Sequence, residues 1–430
     1  MTKAALLSAA LVVVSFSFVA CGGGVNTPKP PSRLTTRVLA SQSVSSPTAF
    51  PALVIIDGYN DTLPRATEIS AGSSPGLMAL SPDRATVLAF DSVSNSVEVV
   101  NTQKETLTGS VQLAGPTTSM VALATGSGYA AVPATPWASG PPPGAVVVMN
   151  LAAGSITATL SVPSAQTVVS SPDGTHLLVF SNDSDVVTII YPPLVNVSSP
   201  VSATVPGFDR PVYGVFSADG RKAYILNCGP ECGSGSASAS VQTLDMTTLT
   251  LVGAPVAVDG ATIGWLNGST LYVAGTSPTK NLCTGQTTAA RTCGRLDIVD
   301  LGSRTVTGRA VITDGYHDRI DMSVNGQLFI GSQACTNVGN VNNVQGEVRG
   351  CLSIYNTANA AVVIPPDNGD VTGLQSFTTR DVEYVAEGGN LRVYDTLTDS
   401  LLVETTNNIT ETGTIIITGY IIDVKAIDFF

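Results

Sequence analysis

Few residues in this sequence are of types that do chemistry, and those few are sparsely spaced. There are two histidines, His176 and His317, too few for a histidine-rich metal or haem centre. Ser74 in GSSPG (72–76) matches the pattern of a nucleophile elbow. That pattern needs a strand–turn–helix context, and here strand-like runs flank it on both sides. The acidic stretches DGYND (57–61), NDSD (182–185) and PDNGD (366–370) lack the spaced carboxylates of an EF-hand loop and read as solvated turns. What stands out instead is aromatic and charged residues side by side: Phe208-Asp209-Arg210 and Tyr316-His317-Asp318-Arg319, with Trp137 among prolines in TPWASGPPPGA. Aromatic rings and arginine are enriched where proteins bind partners. No catalytic residue, cofactor or metal is expected, and these eight positions are the candidate binding face.

The elements that must position them are strands. Of 430 residues, 43% are hydrophobic and only 12% charged, which supports a large core and excludes disorder by composition. Gly, Ser, Thr, Val and Ala dominate, and strong helix formers are scarce after residue 20. The formal charge is −12 with 20 scattered basic residues, so the clustered cations that displace counterions from nucleic acid are missing.

A short strand recurs in eight spellings: ALVIID (52–57), SVEVVN (96–101), AVVVMN (145–150), VVTIIY (186–191), SVQTLD (240–245), RLDIVD (295–300), CLSIYN (351–356) and NLRVYD (390–395). β-branched residues favour the strand and the terminal Asx favours a turn. Each of the last seven copies is preceded by a strand such as KAYILN, a tight turn such as SPDG (171–174) or SADG (217–220), and a further strand such as YGVFSA. A polar turn and a fourth strand follow. Four antiparallel strands, A to D, cannot cover both faces of their own sheet. Radial packing of such units does so, which predicts an all-β propeller.

Units reading P-x-G-hydrophobic, then SPDG, then YILN or YVAG, then a VEVVN-like strand resemble YVTN-type propeller repeats. That family includes surface-layer and lactonase-like propellers. The likeness spans about residues 35–430, with YILN (224–227) nearest to the name-giving tetrapeptide. It implies a propeller fold and admits a lactonase-like hydrolase with an axial site, or a structural surface-layer component, beside a binding scaffold. No motif positions carry over a catalytic set.

Seven full A–D units run from Gly76. ALVIID and its neighbours TRVLASQ and ATEISAG lack an A strand, and the tail YIIDVKAIDFF supplies one. The two chain ends are therefore expected to share one blade, which removes exposed sheet edges. Eight blades are expected, with seven the alternative. Strand alternation puts every B–C and D–A loop on one face of the disc. Units 2, 4, 5 and 6 carry long B–C loops there, and both aromatic-charged runs are read as D–A connections.

Six cysteines allow fifteen pairings. B and C strands are hairpin partners, and each consecutive pair lies in one B–C loop. Bridges 228–232, 283–293 and 335–351 are expected, that is Cys228 with Cys232, Cys283 with Cys293 and Cys335 with Cys351. CGPEC offers two thiolates but no completing ligand for a metal. Disulfides belong to an oxidising compartment. The N-terminus agrees: Lys3, then an apolar run to Ala20, reads as an export signal (1–20). The junction FVAC resembles the lipobox of bacterial lipoproteins and makes Cys21 the lipidated residue, with a flexible tether over 21–34. The expectation is a monomeric propeller over 35–430. It is tied to the bacterial envelope by lipid alone and binds an envelope protein or a small ligand through its loop-rich face.

Overall fold

The computed structural model describes residues 31–43, 51–64, 68–134, 144–182, 184–192, 201–277, 293–335, 351–365, 369–402, 414–415 and 420–428. They form eight antiparallel sheets. Blades 1 to 7 follow one another from Pro75 to Leu401, each in the order A-B-C-D. In blade 7, Thr414–Ile415 adds a fifth strand beside Asn390–Asp395. Blade 8 is shared: Tyr420–Ala426 is its A strand, and Arg37–Ser43, Ala52–Asp57 and Glu68–Ile69 are B, C and D. All eight recurring strands are C strands, and the count is eight rather than seven.

The repeated turns have a repeated cause. At the A–B turns a serine hydroxyl donates to the acid or amide two residues on: Ser81 to Asp83 and Ser171 to Asp173 at 2.6 Å, Ser217 to Asp219 and Ser323 to Asn325 at 2.7 Å. Gly174, Gly220 and Gly326 then take positive φ, which glycine adopts without Cβ penalty. At the C–D turns the terminal Asx accepts backbone N–H groups, as Asn101 from Lys104 at 2.8 Å and Asn150 from Ala153 at 2.9 Å.

The core lies between blades. Leu39, Leu53 and Ile55 of blade 8 pack with Met78, Val87 and Ala89 of blade 1. Phe377, Tyr384 and Val393 of blade 7 pack with Val38, Val54 and Ile56 of blade 8. Each fully buried aliphatic or aromatic side chain stabilises by about 1.5–3 kcal/mol, so every seam depends on its neighbour. The A strands touch in succession around the ring, with Tyr420–Ala426 between those of blades 7 and 1.

Charged networks close the two seams of the shared blade. Arg380 binds both oxygens of fully buried Asp61 at 2.7 and 2.6 Å, and the Tyr384 hydroxyl also donates to Asp61. Arg37 donates to both oxygens of Asp428 at 2.9 and 2.6 Å, to Glu105 at 2.9 Å and to the Thr102 carbonyl at 2.6 Å.

Candidate functional site

A cavity of about 470 Å³ opens on the axis at the loop face. Its lining comes from the upper ends of the A strands. In blade 6 the A strand, Tyr316–Met322, pairs His317 with Ser332 and Arg319 with Gly331, so Asp318 is an extra residue. Blades 3 and 4 shift register at the same place, between Ala165 and Thr167 and between Pro211 and Tyr213. A bulge of this kind re-aims side chains. Consecutive residues, Gln166 with Thr167, Val212 with Tyr213 and Asp318 with Arg319, therefore all reach the cavity. Strict alternation along a strand would have brought in only one of each pair.

Tyr316-His317-Asp318-Arg319 is thus not a D–A connection. It opens the innermost strand, and Gly315 precedes it at φ +101° where a Cβ would lie 2.4 Å from the Gln333 carbonyl. Tyr316, Asp318 and Arg319 line the cavity with Gln333, and the Tyr316 ring is half exposed. His317 points the other way. It is fully buried, its Nε2 lies 2.9 Å from the Thr313 carbonyl oxygen, and burial lowers its pKa to about 4. An enzyme-like convergence of arginine, histidine and acid at the axis is therefore not formed by His317.

Arg319 is held by Nε on the Thr372 carbonyl at 2.6 Å and by NH1 on the Asp318 carbonyl at 2.9 Å. NH1 also lies 3.2 Å from Asp318 Oδ2, which accepts from Gln333 at 2.6 Å. Asp318 Oδ1 is buried without a partner. Burial, with Asp370 adding to it, raises the Asp318 pKa against the pull of Arg319.

The second run behaves differently. Phe208 is buried in the seam between blades 3 and 4, so its ring is not offered to a partner. Asp209 accepts from Ser236 and so ties down the blade 4 B–C loop. Arg210 lines a separate hollow of about 220 Å³ on the loop face with Ser181, Asn182 and Cys232. Trp137, Cys21 and Cys283 lie outside the described residues.

Two bridges staple the B–C loops. Cys228 joins Cys232 with Cα atoms 5.7 Å apart, and Cys335 joins Cys351 at 5.6 Å, both within the usual span of about 4.4–6.8 Å. Cys293 is disulfide-bonded as well. The first bridge encloses a 3₁₀ turn, Gly229–Cys232, that presents Glu231. Glu231 Oε1 accepts from the Thr276 N–H at 2.9 Å, while Oε2 is buried without a partner. Burial raises its pKa to about 8. Gly275 makes room, since a Cβ there would sit 2.8 Å from Oε2. In the sequence Glu231 is an ordinary loop glutamate, and only its burial between two blades distinguishes it.

A second cavity, of about 660 Å³, lies among blades 3, 4 and 5 beside their A–B turns. Its wall is more apolar, with Val169, Val215, Phe216 and Trp265. Tyr213 lines both cavities and stands between them.

No protein-family model matches the sequence, and no curated protein sequence matches it. Solved structures do. The dihydro-heme d1 dehydrogenase NirN, solved in complex with DHE, is 12% identical with a TM-score of 0.62, over 93% of this chain and 79% of that one. The periplasmic gluconolactonase PpgL of Pseudomonas aeruginosa is 14% identical with a TM-score of 0.51, over 91% and 98%. The β-propeller domain of Myceliophteria thermophila Cps50 (Swd1) is 10% identical with a TM-score of 0.50, over 74% and 95%. At these identities the likeness is one of fold, and propellers host many unrelated functions.

Proposed function

We propose that the protein is an exported, envelope-anchored propeller of YVTN-type repeats that binds a small ligand in the axial cavity of its loop face. The observation that carries this reading is the cavity itself. Its volume falls in the range of about 300–1,000 Å³ typical of ligand sites, and it holds a convergent polar set with an unused acceptor, Asp318 Oδ1. Disulfides support an oxidising, exported setting.

With an anchor at Cys21, the point of chain entry sets the orientation of the disc. Ser32 donates to Glu105 in the blade 1 C–D turn, from N at 2.7 Å and from Oγ at 2.5 Å. Residues 31–36 thus join the disc on the turn face, and a tether starting there leaves the loop face turned away from the lipid.

A ligand-observed NMR screen of small polar compounds tests the reading, using the full chain in mild detergent and its Tyr316→Ala variant. Hits that disappear with the variant are expected. Hits that persist unchanged, or no hits at all, would defeat it.

A further inference from the structure

The chemical class of the ligand can be read from the way charge is laid out in this cavity, given the reading that the cavity binds a small molecule. Its two tyrosines sense opposite surroundings. At the Tyr316 hydroxyl, burial raises the pKa and the Asp318 carboxyl raises it further, ahead of the opposing pull of Arg319. At Tyr213, burial raises the pKa and the charge of Arg319 lowers it. The cavity thus has an acidic end at Asp318 and a basic end at Arg319, adjacent residues that the blade 6 bulge turns inward together.

The acidic end has an open valence. Asp318 Oδ2 is occupied by Gln333 and Arg319, whereas Oδ1 is buried and unpartnered. A buried carboxylate oxygen without a donor is costly, and a ligand ammonium would supply one. Arg319 is fixed through Nε and NH1, so a guanidinium edge is positioned without further ordering. Across the eight-blade ring, blade 2 faces blade 6 and lines the cavity with Thr117, Thr118, Ser119 and Met120, and Leu77 of blade 1 joins Met120 as the apolar part of that side. A simple cation would be repelled by Arg319 and a simple anion by Asp318.

We propose that the cavity takes a zwitterion of the amino-acid type with an apolar side chain. The ammonium sits on Asp318 Oδ1, the carboxylate on Arg319, and the side chain lies toward Leu77 and Met120.

Calorimetry on the full chain in mild detergent tests this with L-leucine and L-phenylalanine. Each is set beside the analogue lacking its carboxylate (3-methylbutylamine, phenethylamine) and the analogue lacking its ammonium (4-methylpentanoate, 3-phenylpropionate). At least one amino acid should bind tighter than both of its analogues by roughly tenfold or more, the worth of one charge-assisted hydrogen bond. Asp318→Asn, which is nearly isosteric, should weaken the amino acid by a similar factor and leave the acid-only analogue no weaker, since the carboxylate that repels it is gone, with circular dichroism confirming an intact fold. Amino acids binding no better than their one-pole analogues would overturn the zwitterion while sparing the cavity as a ligand site. No binding by any probe would also overturn it, and the NMR screen with Tyr316→Ala then decides separately whether the cavity binds ligands at all.

Discussion

Two of the arginine–aspartate pairs in this propeller have opposite outcomes. At the seam between blades 7 and 8, Arg380 takes both oxygens of Asp61, and the Tyr384 hydroxyl takes one again. At the axis, Arg319 and Gln333 share one oxygen of Asp318 and leave the other empty. The chemistry is the same and the bookkeeping of valences differs. The Arg380–Asp61 pair uses both acceptors, and an acceptor left unsatisfied in that buried seam would be lost stability. A pair with an acceptor left over, on a residue that lines a cavity, has been left incomplete where a ligand can complete it.

The contrast gives its largest effect at the seam. Asp61→Ala strands the Arg380 guanidinium and should destabilise the fold by about 3–5 kcal/mol in urea unfolding, the usual result of breaking a buried pair from one side. Molecules that still fold should retain ligand.

His317 gives the next effect, and it is pH-dependent. Its folded pKa is near 4, so below the ordinary histidine pKa of about 6.5 the unfolded chain takes up a proton that the folded chain refuses. Stability should fall by roughly 3 kcal/mol as pH drops from 7 through 4, and His317→Gln should flatten that acid limb in unfolding curves.

Glu231 tilts the other limb. Its folded pKa is near 8, so above the unfolded carboxyl range the unfolded chain releases a proton that the folded chain keeps. Stability should decline as pH rises from about 4.5 toward 8, and melting of Glu231→Gln should lose that slope.

Asp318→Asn should move stability least, within about 1 kcal/mol, since Oδ2 keeps a polar partner and Oδ1 had none to lose. A large loss of stability here would place Asp318 with Asp61 as a structural residue and erase the contrast.

The turn face was legible because its physics repeats. Ser-x-Asp turns and terminal Asx residues satisfy the same backbone groups in blade after blade, so one unit predicts the next. The shared blade could be read from what ALVIID lacked and YIIDVKAIDFF offered. The loop face breaks the repeat, and there the sequence was a poorer guide. Phe208 and His317 looked like members of an exposed set, but each points into the protein. Asp318 and Arg319 share the axis only because a bulge suspends the alternation that a strand pattern assumes. Glu231 acquires its character from Thr276 and Gly275, distant in sequence and in the next blade.

The most direct test is native mass spectrometry of the full chain purified gently from the cells that make it, wild type beside Asp318→Asn. The account predicts a small-molecule adduct on the wild type that is missing from an equally well folded variant. An adduct of the same mass and occupancy on both proteins would contradict it, because the open valence at the axis would then play no part in binding.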